Sequence, residues 1–158
     1  MRYNFPYATP GQRIGLLGGS FDPAHEGHVH ITKEALKRFK LDRVWWLISP
    51  KNPLKERNPD LVGDRIKEAN LLLSHPRVVV TDLEIQLSTQ YTSDTILKLK
   101  RLYPRVSFVW LMGADNIPTF NLWKNWKKIM REVPIGVVDR PGNNYATRKN
   151  KITESFKN

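Results

Sequence analysis

The sequence predicts an α/β fold in which a parallel sheet of about five strands is covered by helices on both faces. Two observations indicate it: five short, continuous apolar runs recur along the chain, and segments with apolar residues at helical spacing separate them. Strands that are apolar on both sides are typical of parallel sheets, because helices cover both faces. The expected architecture is therefore a doubly wound, Rossmann-like sheet.

Each predicted element has its own signal. The strands are runs of β-branched, aromatic and leucine residues bounded by loop signals, and they cover residues 14–17, 44–49, 78–81, 106–112 and 135–138. The predicted helices cover 28–39, 63–73 and 93–103. Their apolar stripes are Ile31, Ala35 and Phe39, then Ile66, Ala69 and Leu73, then Ile96, Leu99 and Tyr103, and a further stripe holds Leu122, Trp126, Ile129 and Met130.

Length and composition limit the number of domains, the class of partner and the location that we expect. The 158 residues suit one domain, expected at residues 1–142 and followed over 143–158 by an irregular basic tail or a truncated C-terminal subdomain. The net charge of +11 suits polyanionic partners such as nucleotides. There is no cysteine for disulfides or metal binding, and no apolar run is long enough to span a membrane. We expect a cytoplasmic protein without a membrane partner.

The first predicted strand runs into residues 18–28, Gly-Gly-Ser-Phe-Asp-Pro-Ala-His-Glu-Gly-His. Glycine tolerates positive φ and lets a ligand approach the backbone, and a helix that begins near His25 attracts anions through its free N–H groups and dipole. His25 and His28 lie three residues apart, on one face of that helix. Such imidazoles can stabilise charge on a triphosphate during transfer, without a protein nucleophile. The segment predicts a nucleotide site; two surface histidines at a tight turn are the structural alternative.

Polar groups also follow the other predicted strands. The carboxyl ends of parallel strands meet at one edge of a sheet, and ligands bind there where the strand order reverses. Basic side chains at this edge can contact phosphates, although an ordinary solvated charge is the simpler interpretation for each. The groups are Lys51, Lys55 and Arg65 after the second strand, Asp82 and Glu84 after the third, Gly113 and Asp115 after the fourth, and Arg140 after the fifth.

Three positions near that edge have a structural interpretation, and for Asp115 and Trp123 a binding interpretation stands beside it. Asp115 can accept hydrogen bonds from ribose hydroxyls or cap the next helix. Thr92 or Ser93 is expected to cap the helix that follows, with Asp94 in its first turn. Trp123 lies off the apolar stripe, so its indole can stack on a flat heteroaromatic ring or fill the rim of the core.

The run Gly-Gly-Ser-Phe-Asp-Pro-x-His-x-Gly-His resembles the signature of the HxGH nucleotidyltransferases. With the Tyr-Thr-x-Asp-Thr and Gly-Ala-Asp motifs, residues 14 to 142 are similar to bacterial nicotinate mononucleotide adenylyltransferases. The resemblance implies transfer of an adenylyl group from ATP to nicotinate mononucleotide, giving deamido-NAD and pyrophosphate. It implies Mg²⁺ held chiefly by the triphosphate and water, with no metal site of the protein's own.

The resemblance also assigns roles to individual residues. It implies that His25 and His28 are catalytic. It also implies that Trp123 stacks on the nicotinate ring and that Thr92 binds the substrate carboxylate. It implies substrate contacts by Lys55 and Arg140, and ATP binding by Gly18, Gly19, Ser20, Phe21, Gly113 and Asp115.

The chain departs from the family pattern in two places. Residues 52–55 lack the histidine of the family's Pro-Pro-His-Lys-like stretch, and no Ile-Ser-Ser-Thr-x-Ile-Arg segment, which grips the ATP phosphates in the family, precedes Asn158. We therefore expect either a truncated sequence or a partial product with impaired ATP handling.

Other functions remain open at the level of sequence. Another HxGH enzyme, such as phosphopantetheine adenylyltransferase, is the alternative within the class. A catalytically impaired relative that binds nucleotide or nucleic acid is the alternative outside it, because the chain is strongly basic. No residue decides between nicotinate and nicotinamide mononucleotide as acceptor, and the oligomeric state is open.

Overall fold

The computed structural model describes residues 5–49 and 60–139. They contain a five-stranded sheet in the order β3-β2-β1-β4-β5, in which every neighbouring pair is parallel. The predicted α/β class, strand number and parallel arrangement are therefore confirmed. The strands are β1 (Arg13–Gly19), β2 (Arg43–Ile48), β3 (Val78–Thr81), β4 (Ser107–Gly113) and β5 (Ile135–Val138).

The three predicted helices are present as α1 (Glu26–Arg38), α2 (Asp60–Leu72) and α4 (Thr92–Leu102). The described residues also contain two short helices that the sequence did not reveal, α3 (Leu83–Gln86) and α5 (Ile117–Phe120). A 3₁₀ turn, Ala114–Asn116, precedes α5, and α6 (Trp126–Glu132) follows it. Helices of four residues carry too little periodicity for detection in a sequence.

Apolar side chains on the two faces of the sheet form two separate clusters. Successive strand residues point to opposite faces, so Leu16 and Trp45 join one cluster while Leu17 and Trp46 join the other. Helices cover both faces, as predicted. Ile96 and Leu99 of α4 and Ile129 of α6 pack in the first cluster, and Ile31 and Ala35 of α1 and Ala69 of α2 pack in the second.

The apolar stripe predicted at 122–130 is wrong at its first residue. Leu122 is 78% exposed, because α6 begins only at Trp126. Asn125, the residue before α6, has a left-handed backbone with φ 56°, which interrupts the helical path. Trp126 packs edge-on against Phe120 at 6.1 Å between ring centroids, and Ile129 is buried as predicted.

The strand order places a change of winding direction at the centre of the sheet. From β1 the chain adds β2 and β3 on one side, and it then returns to add β4 and β5 on the other. The connections that follow β1 and β4 therefore cross opposite faces of the sheet, and a crevice opens between the carboxyl ends of these two strands. Within residues 5–49 and 60–139, no helix is long and apolar enough to cross a membrane.

Candidate active site

A cleft of about 580 Å³ opens where β1 and β4 end, at the predicted edge of the sheet. Its volume is in the usual range for small-molecule sites. Lys51, Lys55 and Arg140 lie outside the described residues. The family resemblance assigned a role to ten residues that the structure describes, and all ten line the cleft: Gly18, Gly19, Ser20, Phe21, His25, His28, Thr92, Gly113, Asp115 and Trp123.

Two imidazoles cap the first turn of α1. His25 is the N-cap residue, and its Nδ1 accepts a hydrogen bond from the Gly27 N–H at 3.0 Å. His28 reaches back, and its Nδ1 accepts from the His25 N–H at 3.0 Å. This is a capping box in which both side-chain positions are histidine. The predicted helix start near His25 and the shared face of the two rings are confirmed, with ring centroids 4.0 Å apart.

The capping bonds determine which nitrogen of each neutral imidazole carries the hydrogen. Because Nδ1 of each ring accepts a main-chain N–H, the hydrogen of the neutral imidazole lies on Nε2. The Nε2 atom of His28 lies beside Gly19, since a β-carbon placed there would be 3.9 Å from it. A hydrogen-bond donor is therefore held next to an uncovered stretch of backbone.

Phe21 packs against the His28 ring. The phenyl ring is 1% exposed, stacks on the imidazole at 4.3 Å between ring centroids and also stacks on Trp46 at 5.0 Å. Phe21 has a left-handed backbone with φ 51°. With its side chain buried, Phe21 offers a ligand its main chain rather than its ring.

The two adjacent glycines do not adopt the backbone that the sequence suggested. Both belong to β1, and the positive φ in this part of the chain is at Phe21 instead. A β-carbon at Gly18 would lie 2.8 Å from Trp110 Cη2, so Gly18 is required by packing. A β-carbon at Gly19 would meet nothing closer than 3.6 Å. Gly19 thus leaves open space beside His28, in agreement with the expected close approach of a ligand.

Gly113 and Asp115 form the opposite wall of the cleft. A β-carbon at Gly113 would lie 2.5 Å from Asp115 Oδ1, so glycine lets this carboxylate fold back over the end of β4. Asp115 lies within the 3₁₀ turn and is exposed. The alternative that Asp115 caps the next helix is wrong, because Asn116 occupies the N-cap position of α5.

Thr92 is the first residue of α4, so the N-cap residue lies one position earlier than Thr92, the first of the two predicted caps. Tyr91 is the N-cap residue and makes no side-chain capping bond, so neither Thr92 nor Ser93 is the cap. Asp94 does lie in the first turn, where the helix dipole stabilises a negative charge. The first turn of a helix presents main-chain N–H groups, so α4 begins at the cleft with such donors and with the hydroxyl of Thr92.

Trp123 fills the rim of the core, as its structural interpretation predicted. It lies between α5 and α6, half-buried, and packs edge-on against Trp110 at 6.2 Å and tilted against Phe120 at 5.1 Å. These contacts anchor the indole on the rim of the core. The same residue lines the cleft, so Trp123 lies at the border between the core and the cleft.

Arg65 is not the solvated charge that its sequence context suggested. It is 6% exposed, and its Nη1 donates to the carbonyl oxygens of Ser20 and Ser49, both at 2.9 Å. The guanidinium therefore holds two strand ends together at the edge of the cleft. The sequence offered no signal for this burial, because α2 and the ends of β1 and β2 meet only in the folded chain.

Glu84 and Ser49 line the cleft beside these groups. Glu84 is 6% exposed, and burial raises the pKa of its carboxyl although hydrogen bonds from Ser49 and Thr95 oppose the shift. Asp82, the other acid noted after β3, instead accepts a bond from Gln86 at 2.6 Å. Glu84 carried a weak sequence signal as a charge between Leu83 and Ile85; Ser49 carried none.

Comparison with known proteins gives one consistent result. A family model for cytidylyltransferase-like domains matches residues 16–157. The chain is 54% identical over 156 residues to a Ruegeria pomeroyi protein named nicotinate-nucleotide adenylyltransferase, covering 99% of this chain and 73% of that protein. A Cereibacter sphaeroides protein of the same name is 61% identical over 129 residues, covering 82% of this chain and 70% of its own length.

A solved structure has the same fold at lower sequence identity. It is Plasmodium falciparum nicotinic acid mononucleotide adenylyltransferase complexed with NaAD, and it matches with a TM-score of 0.70 and 20% identity. The match covers 92% of this chain and 71% of the other. The doubly wound sheet described above is therefore the architecture of that enzyme as well.

Proposed function

Because the chain belongs to the nicotinate-nucleotide adenylyltransferases of the cytidylyltransferase-like family, we propose that its cleft transfers an adenylyl group from ATP to nicotinate mononucleotide. The products are deamido-NAD and pyrophosphate. The observation that carries the proposal is the pair of capping histidines beside Gly19, at a helix N-terminus within the cleft. This arrangement suits a phosphate chain, because N–H donors and the helix dipole both favour negative charge.

The reaction needs positioning and charge stabilisation rather than a protein nucleophile. An oxygen of the acceptor's phosphate attacks the α-phosphorus of ATP, a new P–O bond forms, and the bond to pyrophosphate breaks. Negative charge shifts to the leaving pyrophosphate. The Nε2–H groups of His25 and His28 donate hydrogen bonds to the phosphate oxygens as that charge grows. The main chain of residues 18–21 holds the nucleotide close to them.

The acceptor occupies the side of the cleft formed by α4 and Trp123. The hydroxyl and first amides of α4 at Thr92 bind its carboxylate, and the Trp123 indole stacks on its nicotinate ring. Asp115 accepts hydrogen bonds from ribose hydroxyls of the nucleotide. Lys55 and Arg140 complete the proposal as substrate contacts outside the described residues.

Magnesium enters this proposal with ATP. In residues 5–49 and 60–139, no group of three or more histidine, aspartate or glutamate side chains could hold a metal ion. The cleft does offer single carboxylates at Asp22 and Asp115. This donor set fits an ion bound mainly by triphosphate and water, which neutralises phosphate charge when present. We also propose a cytoplasmic location, supported by the lack of cysteine.

Pyrophosphate release by the purified chain tests the proposed function. ATP and Mg²⁺ are supplied with nicotinate mononucleotide, nicotinamide mononucleotide or phosphopantetheine in parallel. We expect turnover with nicotinate mononucleotide. Turnover with phosphopantetheine alone would replace the acceptor in the proposal, and a folded chain that is silent with all three would contradict adenylyl transfer.

His28→Ala tests the role of the imidazoles. We expect kcat to fall about 10²-fold or more, since a donor to the developing charge is lost. Stability should fall by only about 1 kcal/mol through the lost cap. His75→Ala is the matched control, because His75 also accepts a nearby main-chain N–H, that of Arg77 at 3.0 Å, but lies outside the cleft. Turnover of His28→Ala equal to that of His75→Ala would exclude a catalytic role for His28.

A further inference from the structure

Ser49, directly after β2, connects three neighbours through its three polar groups. Its N–H donates to the carbonyl of Gly19 at 2.8 Å, and its own carbonyl accepts from Arg65 at 2.9 Å. Its Oγ donates to Glu84 Oε1 at 2.6 Å. One small residue is thus hydrogen-bonded to β1, α2 and α3 at the edge of the cleft.

The first two bonds connect Ser49 to residues 18–21, which we call the glycine segment. Arg65 Nη1 donates to Ser20 and to Ser49 alike, so the cation clamps the glycine segment to the end of β2. Arg65 is 6% exposed, and bonds from a buried cation are stronger than those between neutral groups. A movement of Ser20 is therefore transmitted to Ser49.

The third bond connects Ser49 to residues 89–92, which we call the threonine segment. Glu84 Oε2 accepts from Thr95 Oγ1 at 3.2 Å, and Thr95 Oγ1 is hydrogen-bonded to Thr89 Oγ1 at 2.8 Å. The main-chain carbonyl of Glu84 also accepts from the Thr89 N–H at 3.0 Å. The position of the threonine segment, which carries Thr92, thus depends on Glu84.

Burial makes this connection stiff. Arg65 and Glu84 are each 6% exposed, Thr89 is 8% exposed and Thr95 is fully buried. In such surroundings each hydrogen bond is strengthened, and a group that loses its partner is costly to leave unpaired. Among the described residues these groups form a continuous polar path between two segments that both line the cleft.

We propose that Ser49 is a positioning residue that couples the two halves of the cleft. Nucleotide bound against the glycine segment fixes Ser20 and Ser49, and Ser49 then holds Glu84, Thr95 and the threonine segment in the arrangement that binds the acceptor. The identity of the two ligands rests on the proposed function. The coupling itself is a property of the hydrogen-bonded path.

Binding measurements on Ser49 variants test the coupling. Calorimetry gives the Kd of nicotinate mononucleotide with and without a saturating ATP analogue whose α,β-bridging atom is carbon. In the unmodified chain we expect the analogue to tighten acceptor binding by about 5-fold or more, in the range typical of coupled sites. Ser49→Ala should reduce this factor to nearly one, whereas Ser49→Thr, which keeps the hydroxyl, should retain it.

Two further variants provide a control and a second test of the hydrogen-bonded path. Ser107→Ala removes an exposed serine at the opposite end of β4 and should leave the coupling unchanged. Thr95→Val removes the hydroxyl between Glu84 and Thr89 while keeping the side-chain shape. Because the bond from the Thr89 N–H to the Glu84 carbonyl remains, this variant should reduce the coupling factor without abolishing it, and it tests the path even if Ser49→Ala does not fold. Full coupling in Ser49→Ala or Thr95→Val, or its loss in Ser107→Ala, would overturn the proposal.

Amide hydrogen exchange separates this inference from the proposed function. The ATP analogue alone should slow exchange in residues 89–92 of the unmodified chain and of Ser49→Thr, but not of Ser49→Ala. That result would support the coupling even if no pyrophosphate is released with nicotinate mononucleotide. If turnover occurs and the analogue leaves exchange at 89–92 unchanged, the proposed function stands and the coupling is wrong.

Discussion

Gly18 and Gly19 show how two neighbouring identical residues serve different purposes. Trp110 leaves no room for a side chain at Gly18, whereas the space at Gly19 lies against Phe21 and His28. Substitution at Gly18 therefore disturbs packing, and substitution at Gly19 changes only the surface presented to a ligand. This difference separates stability from activity at adjacent positions.

Gly19→Ala should remain folded and lose activity. The added methyl group would lie 3.6 Å from Phe21 Cε2 and 3.9 Å from His28 Nε2, which are ordinary contacts, so stability should change little. Under the proposed function it would occupy the space in which phosphate meets the imidazole, and misplacement by about 1 Å costs on the order of 10²-fold in kcat/KM. Steady-state kinetics and urea unfolding of the same preparation measure both effects.

Gly63→Ala is the control for this substitution. Gly63 lies in α2, and a β-carbon there would have nothing within 4 Å. Alanine in a helix should raise the free energy of unfolding by about 1 kcal/mol and leave kcat/KM unchanged. Unchanged kcat/KM in Gly19→Ala as well would show that phosphate does not approach this backbone.

Glu84 should make stability depend on pH. Its pKa in the folded chain is raised above 4.5 by burial, so folding favours the protonated carboxyl. That stabilising contribution is complete below the unfolded pKa and is lost as pH rises through the folded pKa. Relative to Glu84→Gln, the native chain should lose up to about 1.4 kcal/mol per pH unit between those two values.

Urea unfolding of both chains from pH 4 upwards measures the difference. Equal m-values would establish that the two chains expose similar surface on unfolding. A difference in free energy of unfolding that stays constant as pH rises from 4.5 would contradict a raised pKa at Glu84.

At the scale of elements, α1 joins the fold to the site. Its first turn is capped by the histidines of the cleft, and Thr32 in its second turn donates to the His28 carbonyl at 2.8 Å. The same Thr32 hydroxyl accepts from the Trp46 indole of β2, also at 2.8 Å. The sheet therefore holds the helix at Thr32, one turn after His28, and the bond from Thr32 to the His28 carbonyl limits the movement of the imidazoles.

The other end of α1 provides a prediction about stability. Lys40 follows the C-cap Phe39 with φ 52°, a left-handed conformation that favours glycine at this position. Lys40→Gly should raise the free energy of unfolding by about 1 kcal/mol through relief of this strain. Thermal and urea unfolding measure the change.

Lys37→Gly removes the same charge from the last turn of α1 and provides the contrast. Within the helix, glycine should lower stability by about 1 kcal/mol. Changes of equal sign in the two variants would indicate an effect of charge rather than of backbone conformation.

At the scale of the whole molecule, the cleft is assembled from the ends of separate strands. Residues after β1, β2 and β4, together with α3 and the start of α4, line a single space. The change of winding direction between β1 and β4 leaves that space uncovered by the crossing helices. No single segment of the chain contains the site, so its geometry depends on the complete sheet.

The amino-acid sequence sufficed to predict the α/β class, the five strands and the edge of the sheet at which the cleft opens. It did so because apolar periodicity and motifs such as residues 18–28 are local properties of the chain. Local signals also sufficed to predict that α1 starts near His25, since the features of a helix terminus span only a few residues. They failed for the cap of α4 and for the four-residue helices, whose signals are short.

Tertiary packing determines which polar groups are buried and hydrogen-bonded to one another. Arg65 contacts Ser20 across 45 positions of sequence, and Ser49 contacts Glu84 across 35. Gly18 and Gly19 acquire different roles only because Trp110 packs on one and His28 lies near the other. Such contacts follow from the packing of helices against a sheet, and residue type and spacing along the chain carry no record of it.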